Sequence, residues 1–435
     1  MNLSLRITYF SQRHGGASSE AATLDGLESL PELLCRIAAS SSGIAQLDLP
    51  GRRCFLVSDP ALVREVLATQ ATRYRKGNDA IRKVLGNGLF TSEDPDHAAQ
   101  RRDLWPHFNH SSIAALLPAM ATSVNAALTL ALSGSPVDIG RAMRRVTLAV
   151  GAQLFFDYPL DDADDEVGAA ITDVTKRAAA SILGHMSAQR PREELRRFHA
   201  ARARLNVLAD AFMLQQDARF AAVGPPGSAT LAGTIRLGAT STVARREQLL
   251  TLLLAAQESS AVALTWVFYL LAKHQDVQNR LAEELERTPE NAPNGPPPAF
   301  VSHVLMEAMR LFPPAWLLGR RPRNEILIRG VRVTPNDAVF ISPYAMHRDE
   351  RVYPNAGEFL PTRWLAQPAT PAFIPFGIGP RGCIGEPFAL QELVTIIAAV
   401  IRRFRLALVS DAPVQLQPLI TLRPAQPVML HMNSR

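Results

Sequence analysis

Ten residues near the end of the chain, Phe376-Gly377-Ile378-Gly379-Pro380-Arg381-Gly382-Cys383-Ile384-Gly385, set one cysteine among four glycines. The apolar-periodic stretch that follows, 384–404, reads as a helix, so Cys383 stands at its mouth. There the backbone N–H groups and the positive end of the helix dipole favour an ionised sulfur. Two other readings compete. Gly377, Gly379 and Gly382 match the Gly-x-Gly-x-x-Gly dinucleotide fingerprint, and Cys383 could be an inert core residue. The fingerprint should follow a clean strand and open a crossover unit with an acidic residue about 20 residues on. Here Pro375 interrupts the preceding run, Pro380 and Cys383 sit inside the turn, and no second crossover follows.

Three further groups carry chemistry. In Ala255-Ala256-Gln257-Glu258-Ser259-Ser260 an acid stands beside alcohols in the middle of a long apolar stretch. Such a pair can relay a proton, or the hydroxyls can simply bond back to the preceding turn. Glu307 and Arg310, three apart, share one helix face. Glu193 with Arg196, Glu194 with Arg197, and Glu284 with Arg287 have the same spacing, and these read as solvated charge pairs. His97 and Arg101 lie four apart.

These residues need a scaffold, and the pattern is mostly α with a small β region. Residues 53–59 read as a strand, and Asp59-Pro60 then opens a helix through Leu67 with the aspartate as cap. Helical periodicity dominates 100–285, and glycine and proline break it near 134–137 and 224–227. A proline-rich loop at 286–300 leads into a helix that ends before Pro313-Pro314. Alternation over 325–343 predicts a small antiparallel sheet with a turn at Pro335-Asn336. The irregular run 353–382 is long enough to suggest function.

Apolar residues at 47% and charged residues at 20% exclude wholesale disorder. No internal boundary appears, so residues 1–435 read as one domain, with 1–20 poorly ordered. The net charge of +6 comes from scattered arginines without a basic tail, which argues against nucleic acid. Three widely spaced cysteines argue against a disulfide framework and for a reducing compartment. The polar N-terminus predicts no signal peptide and no membrane anchor. Residues 249–272 could span a bilayer by length, but the central Glu258 costs about 2.5–3.5 kcal/mol on insertion scales, so a buried core helix is expected.

The cysteine run resembles the cytochrome P450 family, whose signature Phe-x-x-Gly-x-Arg-x-Cys-x-Gly is matched at all five fixed positions. A chance match in a chain this long is about 10⁻⁴ from average residue usage. Glu307 and Arg310, followed by Leu311-Phe312-Pro313-Pro314, and the later Phe359-Leu360-Pro361-Thr362-Arg363-Trp364 resemble two further family segments. The resemblance implies a buried triad of Glu307, Arg310 and Arg363. It also implies haem b with Cys383 as axial ligand, Phe376, Gly379, Arg381 and Gly385 around it, and His97, Arg101 and Arg320 toward the propionates. Residues 249–273 would be the distal helix, with Glu258 and Ser259 relaying protons. Ala256 departs from the family's usual glycine, and Ser259 from its commonest residue, threonine.

The P450 resemblance further implies a soluble, cytoplasmic monooxygenase that inserts one atom of O₂ into an organic substrate. Electrons would come from NAD(P)H through a separate ferredoxin or flavodoxin and its reductase. Peroxide-driven or rearranging haem-thiolate chemistry and a non-catalytic haem sensor are the alternatives. The expected pocket segments, 80–92, 178–186, the distal-helix centre, 315–318 and 418–421, are largely apolar. They imply a lipophilic substrate of fatty acyl, terpenoid or polyketide type, as in secondary metabolism.

Overall fold

The computed structural model describes residues 3–10, 17–49, 52–132, 134–158, 164–182, 192–223, 231–238, 241–288, 299–366 and 370–435. Most of the proline-rich loop and the segments 183–191 and 224–230 lie outside them. Contacts divide the chain into two compact units: Met1–Asn78, Met306–Cys383 and Val414–Ala425 form the first, and Asp79–Leu305, Ile384–Pro413 and Gln426–Arg435 the second.

The first unit is built on a seven-stranded sheet. Its strands are β1 (Leu3–Phe10), β2 (Ala17–Leu24), β3 (Ile44–Leu49), β4 (Arg52–Val57), β5 (Tyr74–Arg75), β6 (Leu318–Pro322) and β7 (Ala338–Ile341), in the order β2-β1-β3-β4-β7-β6-β5. Residues 3–10 and 17–24 thus lie in paired antiparallel strands. Leu5 and Ile7 alternate with Arg6 and Thr8, and burying the apolar pair is what recruits β1 to β3. After β4, Asp59 caps the expected helix by accepting from the N–H groups of Ala61 and Leu62, with Pro60 at its first position.

The expected sheet over 325–343 is two structures. Ile326–Ile328 pairs with Val331–Val333, whereas β7 runs parallel to β4 and antiparallel to β6. Asp337 accounts for the switch. It accepts from the Thr334 N–H and hydroxyl and binds Arg53 bidentately at 3.0 and 2.9 Å, tying the turn to β4.

The second unit is helical, and the helices used below are α1 (Asp96–Leu104), α2 (His110–Ala131), α3 (Ile139–Phe156), α4 (Thr242–Lys273), α5 (Gln275–Glu286), α6 (Ala299–Leu311), which continues into the first unit, and α7 (Glu386–Arg403). Helix α4 begins seven residues earlier than the sequence pattern suggests, because Ser241 caps it by accepting from the Ala244 N–H. It contains no glycine or proline, is apolar on most faces and is largely buried, as a core helix should be. Helix α2 is also long and apolar enough to cross a membrane, yet most of it is exposed.

Candidate functional site

The cysteine loop closes on itself. The Cys383 N–H donates to the Phe376 carbonyl at 2.9 Å, the Gly382 N–H to Gly379 at 2.9 Å, and the Gly377 N–H to Ile374 at 3.0 Å. Gly379 has φ +76°, and a Cβ there would lie 2.2 Å from the Leu67 carbonyl oxygen, so no other residue fits without moving the backbone. Through this turn the chain presents Cys383 exposed, three residues before α7. The other cysteines differ. Burial pushes the Cys35 thiol up to about 11 and the Cys54 thiol up to about 12, so both stay protonated at neutral pH.

Phe376 and Arg381 are half-buried in the same loop, and Arg320 is buried on β6, one of its guanidinium nitrogens bonding the Gly319 carbonyl. In the second unit His97 and Arg101 sit one turn apart on α1, His97 buried with Nδ1 3.5 Å from Asp94. Gly385 is the N-cap of α7, which has no side-chain cap. Among the described residues no group of three or more histidine, cysteine or acidic side chains could hold a metal. A single exposed sulfur donor two residues after Arg381 suits a metal whose other ligands come with an anionic porphyrin.

Helix α4 is buried along almost its whole central length, but Ala255 and Ser259, one turn apart, are exposed. Ser259 Oγ donates to the Ala255 carbonyl at 3.0 Å, the local back-bond open to a helical serine. Glu258 and Ser260 are buried on other faces of the same turn. The Ala256 methyl is directed at α3, where a Cβ on Gly151 would stand 3.6 Å away in ordinary contact, so α3 accommodates the alanine without a clash.

Glu307 and Arg310 are wholly buried and joined bidentately at 2.9 Å through both carboxylate oxygens. Arg363 Nε reaches Glu307 at 3.2 Å, completing the expected triad. Arg310 then spends its remaining donors on the carbonyls of His347, Ala356 and Glu358, while Glu307 also accepts from the Leu360 N–H and Trp364 Nε1. One ion pair thus fastens four points of the irregular run and His347 just before it. The look-alike pair Glu193 and Arg196 is an exposed surface contact. Glu284 accepts from the Phe300 N–H rather than pairing with Arg287.

Sequence reasoning missed His347. Fully buried, it accepts the Ile374 N–H at Nε2, 3.0 Å away, and so anchors the run just upstream of the cysteine loop. Burial and the neighbouring cations Arg310 and Arg348 hold its pKa down to about 3. A lone histidine in the sequence carries no sign of this. Since an unfolded chain protonates His347 near pH 6.5 and the folded one does not, stability is expected to fall as pH drops from 6.5 toward 3. The loss reaches about 3 kcal/mol by pH 4.5. Thermal unfolding scans at pH 7 and 4.5 measure this. His347→Gln should flatten the dependence, and an unchanged acid slope would refute the assignment.

The cytochrome P450 family model matches residues 28–432. The chain belongs to the cytochrome P450 family. Cyclooctatin synthase of Streptomyces melanosporofaciens is 33% identical over 399 residues, 87% of this chain and 86% of that protein. Cyclooctat-9-en-7-ol 5-monooxygenase of the same organism is 31% identical, covering 83% and 82%. Pentalenene oxygenase of Streptomyces avermitilis is 28% identical, covering 86% and 87%. The P450 is accordingly a haem-dependent monooxygenase. The β1–β2 strand pair precedes the family match.

Among the pocket segments, 315–318 and 418–421 are joined in the first unit by Trp316 Nε1 on the Leu419 carbonyl at 2.9 Å. In the second unit, loop 86–89 is fastened to α4. The Asn87 and Leu89 N–H groups donate to Glu247 and Gln248, and Gly88 packs so closely on Thr251 that a Cβ would meet its hydroxyl at 2.0 Å. Of the segment 178–186, residues 183–186 lie outside the described residues.

Proposed function

We propose that this P450 oxidises a cyclic olefin of terpenoid type, with Cys383 as the axial thiolate of haem b and both compact units acting as one domain. The observation that carries the reading is the closed loop that presents Cys383 exposed while Cys35 is partly buried and Cys54 fully so. Haem iron held by a thiolate supplies the activation of molecular oxygen, one atom of which enters the substrate. Arg320, Arg381, His97 and Arg101 would bind its propionates, and Phe376, Gly379 and Gly385 would shape the loop and helix start beside it. Glu307, Arg310 and Arg363 hold the approach to that loop.

Ser259 Oγ is the group that hands on a proton at the exposed face of α4, and Glu258 behind it is the source. In the resting geometry the hydroxyl proton rests on the Ala255 carbonyl, and a χ1 rotation releases it. Electrons come from NAD(P)H through a ferredoxin or flavodoxin and its reductase, in the cytoplasm. The names of two relatives support the substrate class, since pentalenene and cyclooctat-9-en-7-ol are both unsaturated.

Incubation with those two compounds, NADPH, a surrogate ferredoxin with its reductase and ¹⁸O₂ tests the reading. A substrate-induced spin shift and a product carrying one labelled oxygen are expected from at least one of them. Turnover of a fatty acid with no binding of either terpene would overturn the substrate class. Ser259→Ala should keep haem content and the spin shift. Its product per NADPH should fall by about tenfold or more as electrons leave in hydrogen peroxide, given the 10²–10⁴-fold worth of general acid groups. Ser259→Thr should retain coupling. Unchanged coupling in the alanine variant would mean that water or the substrate carries the proton.

A further inference from the structure

The helix that Asp59 caps changes pitch before it ends. Pro60–Arg64 is α-helical, whereas Glu65–Thr69 forms a single π turn in which the Gln70 N–H donates to the Glu65 carbonyl, five residues back, at 2.9 Å. Such turns hold one residue more than an α turn, are rare, and recur at functional sites. The residues of this one, Glu65-Val66-Leu67-Ala68-Thr69, include no glycine or proline that would break the helix locally. Its cause therefore lies in what it packs against.

Val66 and Leu67 are buried in a core with Leu62, Val63 and Ile374, and Ile378 packs against that core. The backbone of the turn meets the cysteine loop. A Cβ on Gly379 would lie 2.2 Å from the Leu67 carbonyl oxygen, 2.8 Å from Ala68 Cα and 3.0 Å from Ala68 Cβ. Gly379 itself accepts from the Gly382 N–H at 2.9 Å, and the next residue, Cys383, donates to the Phe376 carbonyl. The turn, the loop and the sulfur all belong to the first unit. Main chain against main chain leaves no rotamer that can move aside, so a shift of the turn displaces the loop.

We propose that the π turn Glu65–Thr69 positions the Cys383 sulfur: the wide turn brings the Leu67 carbonyl and Ala68 onto Gly379, and this brace holds the cysteine loop closed and the sulfur in its ionised, metal-donating form. The proposal rests on Cys383 being the axial ligand. Ala68 is the positioning residue, and it acts through Gly379. A thiolate keeps its charge only where fixed N–H groups and dipoles favour it, so a loop free to shift lets the sulfur take up a proton and donate less to the iron.

Four variants of the haem-loaded protein test this without substrate. The measurements are the lifetime of the red-shifted Soret band of the reduced carbon monoxide complex at neutral pH, the midpoint potential of the iron, and thermal stability. Ala68→Val adds two methyl groups beside Gly379 and should lose the band severalfold faster than wild type, with a more positive midpoint potential. Ala68→Gly removes the side chain there and crowds nothing, so it tests the brace even if the valine variant does not fold, and it should move both readouts in the same direction. Ala68→Ser, close to alanine in size, should match wild type.

Val63→Ala is the control. It leaves a cavity in the same buried core and lowers thermal stability, but it should leave the band lifetime and the potential unchanged. Ala68→Gly with a wild-type band lifetime and potential would overturn the positioning role. So would a Val63→Ala protein that shifts both by as much, since the effect would then follow stability alone. A wild type that never shows the red-shifted band would instead overturn the assignment of Cys383, and the positioning role with it.

Discussion

Replacing Cys383 with alanine is expected to abolish the strongly red-shifted Soret band that a thiolate haem shows when reduced and exposed to carbon monoxide. The shift depends on a charged sulfur donating to the iron, and of the three cysteines Cys383 is the exposed one. Cys35 and Cys54 are held as neutral thiols by burial, at about 11 and about 12, and Cys54 is enclosed between strands β3 and β7. Cys35→Ala and Cys54→Ala should therefore leave the band in place. Visible spectra of the three purified variants decide the matter, and a Cys383→Ala protein that kept the band would make the assignment wrong.

The second large effect concerns Glu307 and Arg310. Arg310→Ala leaves the fully buried Glu307 carboxylate without its bidentate partner, and it releases the carbonyls of His347, Ala356 and Glu358 together. Breaking a buried pair from one side costs about 3–5 kcal/mol, a large part of the stability of an ordinary domain. Little or no haem-loaded protein is expected from Arg310→Ala or Glu307→Ala in a soluble-expression and haem-content assay. Glu193→Ala is the control. Its partner Arg196 is exposed, with 80% of the side chain open to solvent, and surface pairs contribute about 0–1 kcal/mol. Equal damage from all three substitutions would remove the distinction between the buried triad and the surface pairs.

Arg310 also separates what a one-dimensional reading can and cannot reach. The Glu-x-x-Arg spacing occurs four times, and only the segments after Arg310 pointed to the right pair. Even so, the sequence carried no sign that His347 and Trp364 belong to the same network. Their contributions to the pair are a backbone carbonyl 37 residues away and an indole N–H 57 residues away. Such contacts impose no spacing rule.

The amino-acid sequence by itself determined the family, the cysteine loop, the acid and alcohol of α4 and the helix that carries them. Each is a local pattern in which turn chemistry or helical period dictates residue type within about ten positions. Tertiary structure alone decided the rest. The pairing of β7 with β4 instead of with its sequence neighbour depends on Asp337 meeting Arg53, 284 residues away. The order of the N-terminal strands depends on a sheet edge to receive Leu5 and Ile7. The neutral state of His347 depends on burial and on Arg310 and Arg348 around a side chain that, read along the chain, is one more histidine. Burial, register and pKa are set by neighbours distant in sequence, and their energies come from excluding water at places the chain does not mark in advance.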